Sequence, residues 1–196
     1  MTQAQDLPGL PPEALARGLA YAGFVLVGYE LVKDMIVGPI KLFYRDTTFG
    51  QGMPFKTYDE DVRARHKNEF EACLLYLRDF MEAVDDADFD AIQELRNHRN
   101  DLAHGLVRRL PILRVGEHQS LWERVDRTIF KLSNYRTRME IGADPEFQAL
   151  GIHWETVTGG EYLLFQKVVE SVKLLNETFD GGPDNWSSQT PSRTRT

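Results

Sequence analysis

Apolar side chains recur at steps of three and four along most of this chain, and no hairpin signal interrupts them, so the pattern commits it to helices. The clearest stretch carries Val62, His66, Phe70, Cys73, Leu77, Phe80, Met81 and Val84. It follows Thr57-Tyr58-Asp59-Glu60, the S/T-x-x-E pattern in which a hydroxyl and a carboxylate satisfy free backbone N–H groups at a helix start. The single amphipathic helix this predicts would bury Cys73 and turn His66 toward the core or an interface.

The same reading extends in both directions. A first helix should open at Pro11-Pro12-Glu13, since proline in the first turn loses no intrahelical bond. Its apolar residues from Leu15 to Ile36 run nearly all round the axis, which suits a central helix or a dimer contact. Gly38-Pro39 is the expected stop, and residues 40–56 are expected to form an irregular loop packed by Phe43, Tyr44, Phe49 and Phe55, with 40–44 a candidate extended piece. A third helix, capped by Asp88, should place Ile92, Leu95, Ala103, Leu106 and Leu110 on one face and end before Pro111. A fourth should open with the box Ser120-Leu121-Trp122-Glu123, bury Trp122, Val125, Ile129, Leu132 and Met139, and turn Arg124, Arg127, Lys131, Arg136 and Arg138 outward. After a second irregular stretch at 142–157, with a short extended piece at 153–155, Thr158-Gly159-Gly160-Glu161 opens a fifth helix carrying Tyr162, Phe165, Val168, Val169, Val172, Leu175 and Phe179. The expected fold is an all-α bundle of four to five helices in one domain over 11–179, between a flexible N-terminus (1–10) and a disordered tail (180–196).

Composition narrows the function. One cysteine in 196 residues excludes an internal disulfide and a thiolate zinc cluster, and suits a reducing cytoplasm. No secretory signal is visible, and the longest apolar run, Leu19 to Tyr29, is shorter than the roughly 20 residues of a membrane span, so no membrane association is expected. A net charge of −7 argues against a general nucleic-acid coat protein, whose binding rests on clustered lysine and arginine. Yet Arg96, Arg99, Arg108, Arg109 and Arg114 fall within nineteen residues that hold a single acidic residue, Asp101. Any anion should be met there.

Inside that basic stretch lies Arg99-Asn100-Asp101-Leu102-Ala103-His104. Arginine is a permanent planar cation suited to phosphate, and histidine exchanges a proton near neutral pH. At 100° per residue, Arg99 falls within the apolar stripe of its helix and Arg96 at the edge, so Arg99 must pair with a carboxylate, for which Glu69 and Glu71 are candidates, or face a solvated cleft. Asn100 and His104, four apart, share a neighbouring face. Arg99 and His104 lie about 140° apart and would converge on one ligand through the arginine's length, a helix end near Gly105, or two copies of the motif. His98 and His104 occupy different faces, and His66, His118 and His153 have no ligand spacing, so no metal or other cofactor is expected.

With Leu95-Arg96 before it and Ala103 ahead of the histidine, this stretch resembles the Arg-x4-His motif of the HEPN superfamily of small helical domains. The resemblance implies a homodimer whose two motifs meet at a shared groove and, in active members, metal-independent cleavage of RNA to 2′,3′-cyclic phosphate ends. It would make His104 the proton shuttle, Arg99 the stabiliser of phosphoryl charge and Asn100 a positioning group, with Arg96, His98, Arg108 and Arg109 available to bind substrate. It also implies a toxin or phage-defence role and an antitoxin partner. Superfamily toxins silenced through a tyrosine carry it two residues after the histidine, where this chain has Leu106. The competing reading is a non-catalytic HEPN-like scaffold or a nucleotide- or ligand-binding module, in which Arg99 and His104 only tie helices together.

Overall fold

The computed structural model describes residues 10–142, 144–148 and 150–180, so the expected loose start and disordered tail fall almost wholly outside it. All described regular structure is helical. The elements are α1 (Pro12–Asp46), α2 (Tyr58–Asp61), α3 (Glu69–Asp79), α4 (Asp86–Arg109), α5 (Gln119–Ile141), α6 (Pro145–Gln148) and α7 (Gly160–Asp180), with short 3-10 turns between several of them.

α1, α4, α5 and α7 run antiparallel to their neighbours around one core. The pairings Glu94–Arg124 and Asp88–Lys131 set α4 against α5, Asp126–Tyr162 and Arg136–Glu161 set α5 against α7, and Glu30–Arg99 and Tyr21–His98 set α1 against α4. Trp122, Phe165, Ile129, Leu95 and Val25 fill the centre and are almost wholly excluded from solvent, each contributing about 1.5–3 kcal/mol of burial. Gly28 admits the Trp122 ring, because a Cβ there would stand 2.7 Å from Trp122 Cη2. The helix α3 docks on α1 and α4, its Phe70 edge-on to Tyr29 at 5.6 Å.

Several boundaries differ from expectation. Gly38-Pro39 does not stop α1, which runs on to Asp46 and turns the expected extended piece at 40–44 into helix. Proline costs one hydrogen bond, but Ile36 and Ile40 on either side of it are buried, and that packing offsets the loss. The loop is therefore 47–57, packed as anticipated by Phe43, Phe49 and Phe55 at ring separations of 5.1–5.4 Å. At 35 residues α1 is long and apolar enough to cross a membrane, yet one face of it supplies nine buried residues to the core.

The helix expected over 57–84 is divided. Thr57 does cap, accepting from Glu60 N at 3.2 Å, but α2 lasts one turn, the chain extends at His66, and Asn68 caps α3. Local hydrogen bonds decide this: Arg65 Nε donates to the Asp61 carbonyl at 2.6 Å, and Asn68 N donates to His66 Nδ1 at 3.0 Å. His66 is thus half-buried in a connection rather than on a core stripe. The cap of α4 is Asp85, which exchanges reciprocal bonds of 3.0 and 3.1 Å with Asp88. α5 starts at Gln119 without the Ser120 box, its Met139 is 60% exposed, and residues 154–156 form a 3-10 turn rather than an extended piece.

Candidate nucleic-acid site on α4

The burial of Ala91, Ile92, Leu95 and Leu102 fixes which way α4 faces. Leu106 and Leu110 are half-buried continuations of that face, whereas Ala103, expected on it, is exposed. The motif residues therefore divide among inward, lateral and outward directions.

Arg99 is lateral. Its Nη2 donates to Glu30 Oε1 at 3.3 Å, its Nη1 donates to Asn100 Oδ1 at 3.2 Å, and its guanidinium lies 5.3 Å from the centre of the Tyr29 ring. The carboxylate comes from α1, not from Glu69 or Glu71. Glu71 instead accepts from Arg96 Nη1 at 2.5 Å and from Gln93 Nε2 at 2.6 Å, and Glu69 is engaged by Lys41 and Tyr58. The Arg99 Nε–H is buried without an acceptor, so this guanidinium is incompletely satisfied where it lies.

His104 is outward. It is exposed and has no hydrogen-bond or ion-pair partner among the described residues, while Asn100, one turn earlier on the same face, is half-buried. Arg108 is likewise exposed and unpaired among the described residues, but Arg109 donates to Asp101 Oδ2 at 2.8 Å. The basic stretch is thus largely neutralised in place, with Arg96, Arg99 and Arg109 each held by a carboxylate.

His98 is inward and does not belong with the other candidates. Its Nε2 lies 2.9 Å from the Tyr21 hydroxyl, and that hydroxyl accepts from Trp122 Nε1 at 3.4 Å. The His98 and His118 rings are 4.0 Å apart, and the His118 ring stacks on Tyr21. Burial, reinforced by the neighbouring His118, pushes the His98 imidazole down to about 4, and burial lowers His118 as well. Half-buried and tied into this cluster, His98 faces away from the other candidates. Twenty residues separate it from His118, and only the turn of chain between α4 and α5 brings them together.

Among the described residues no three His, Cys, Asp or Glu side chains form a metal-binding group. Comparison with protein-family models, curated protein sequences and solved structures finds no match to this chain.

Proposed function

We propose that the chain is a HEPN-like, metal-independent endoribonuclease acting as a cytoplasmic homodimer, of the toxin or phage-defence kind. The observation that carries this reading is the unpartnered, solvent-facing imidazole of His104, one turn from Asn100, on a helix that also holds an under-satisfied guanidinium. A histidine kept for packing would find a partner, as His98 does.

Two copies meeting along this face would bring two His104 side chains to one phosphodiester. The neutral imidazole of one protomer takes the proton from the RNA 2′-hydroxyl as its oxygen attacks phosphorus. The imidazolium of the other gives a proton to the departing 5′-oxygen as the P–O5′ bond breaks, leaving a 2′,3′-cyclic phosphate and a 5′-hydroxyl. Arg99, with 30% of its side chain exposed, exchanges its 3.3 Å contact with Glu30 for the phosphoryl oxygens, where charge accumulates. Asn100 orients the arginine through its Oδ1. Exposed apolar side chains nearby, Leu19 and Val27 on α1 and Val107 on α4 at 47%, 53% and 71% exposure, give the two copies something to bury.

The test is cleavage of single-stranded RNA by the full chain in EDTA, with end-group analysis. Cyclic phosphate ends that disappear in His104→Ala support the reading, and equal cleavage by that variant overturns it. The scaffold reading draws on a different observation, the Arg96–Glu71 and Arg99–Glu30 pairs that tie α4 to α3 and α1. It predicts that Arg99→Ala lowers the melting temperature and that no RNA is cut.

A further inference from the structure

A cavity lies at the other end of the bundle, and none of its lining residues is on α4. It measures about 400 Å³, within the range of small-ligand sites, and opens between the second half of α1, the end of α3, and α5. Its walls are mostly apolar, and three of the five methionines in the chain, Met35, Met81 and Met139, line it. Flexible, polarisable thioethers let such a wall fit more than one shape.

The polar groups in and around it distinguish one ligand charge from another. The hydroxyl of Tyr135 donates to the Met81 carbonyl at 3.4 Å and Ser133 Oγ accepts from Gly159 N at 2.8 Å, so both are engaged within the protein. At the mouth one guanidinium serves two carboxylates: Arg136 Nε donates to Glu140 at 2.7 Å and Nη1 to Glu161 at 2.6 Å. That trio retains one uncompensated negative charge. Pro39 has no N–H, so the Met35 carbonyl one turn before it lacks its helical donor, and both residues line the cavity.

We propose that this cavity binds a small apolar amine. Its hydrocarbon body lies among the methionines, and its ammonium meets the Glu140–Glu161 pair at the mouth. An anionic amphiphile would have to take Arg136 and leave two carboxylates facing each other without a cation. A neutral one would gain burial but not the charge.

The experiment is calorimetric titration of the full chain with decylamine, decanol and decanoate, each below its micelle-forming concentration. Saturable 1:1 binding of decylamine is expected, at least tenfold tighter than decanol, with decanoate weakest. Met35→Trp fills the cavity and should weaken decylamine tenfold or more, provided its helical circular dichroism and melting temperature match the parent. Should that variant fail to fold, Glu140→Gln with Glu161→Gln decides, because both carboxylates are on the exposed rim. It should bring decylamine down to the affinity of decanol. Absent saturation by decylamine, equal affinity for the three probes, tighter binding of decanoate, or a rim variant that keeps its preference for the amine each overturns the proposal.

Discussion

His98 and His104 sit six residues apart on one helix and have been given opposite surroundings. His98 is pressed between Tyr21 and His118 under the α4–α5 connection, and its imidazole is held neutral there by burial. His104 is exposed to solvent. Residue type alone therefore does not tell these surroundings apart, and direction from the helix axis does. An inward imidazole contributes to stability by closing a hydrogen-bonded cluster, whereas an outward one contributes almost nothing to stability and is available for chemistry.

The strongest test of that contrast replaces the outward ring. His104→Ala should lower RNA cleavage at least about 100-fold while leaving the unfolding free energy within about 0.5 kcal/mol of the parent, measured by denaturant melts beside the activity assay. The inward ring should behave in reverse. His98→Ala strips the Tyr21 hydroxyl of its 2.9 Å partner and opens a void, so a loss of about 1–3 kcal/mol is expected. In a chain of this size that is a fall in melting temperature of roughly 3–10 °C.

Acid provides a third, smaller test. Unfolded His98 takes up a proton near pH 6.5, but folded His98 does so only near 4. Between these values the unfolded state binds more protons, so the stability is fully present above about pH 6.5 and is lost as the pH falls toward 4. Allowing for solvent screening, the loss should be about 1–2 kcal/mol, and His98→Gln should flatten that part of the pH–stability curve. A small change in stability is also expected at Arg99, whose pair with Glu30 is half-solvated: Arg99→Ala should cost at most about 1 kcal/mol yet abolish cleavage. A larger loss of stability with no cleavage in the parent would move Arg99 to the inward class and favour the scaffold reading.

Periodicity was enough to read the all-helical class and to place the Arg-x4-His stretch on a helix. It was enough also for the angle between Arg99 and His104, because side-chain direction along a helix depends on spacing alone, but it put Arg99 within the apolar stripe where the fold leaves it lateral and half-buried. What could not be read was whatever depends on contacts made elsewhere. Pro39 looked like a terminus because its cost is local, whereas the burial of Ile36 and Ile40 that outweighs it belongs to the tertiary fold. Asn68 and Arg65 divided an apparently continuous helix through bonds to their own neighbours, competing with a period that held on both sides. Glu69 and Glu71 were sensible partners for Arg99 by proximity in the chain, but the antiparallel approach of α1 delivered Glu30 instead. The enclosure of His98 by His118 had no sequence signature at all.

The missing side chain at Gly28 has a consequence that reaches beyond the core. Glu30, which steadies Arg99, follows it by two positions on α1, and Tyr21, which closes over His98, precedes it by two turns. The distance at which α1 rests on the indole of Trp122 thus sets the reference height for both faces of the neighbouring helix at once. A single methyl group added there would stand 2.7 Å from the indole, so the ring or α1 would have to shift, and a shift of α1 would carry with it the residues that hold the arginine and close over the histidine. The placement of Arg99 and His98 is in this sense inherited from a contact in the interior that neither of them makes.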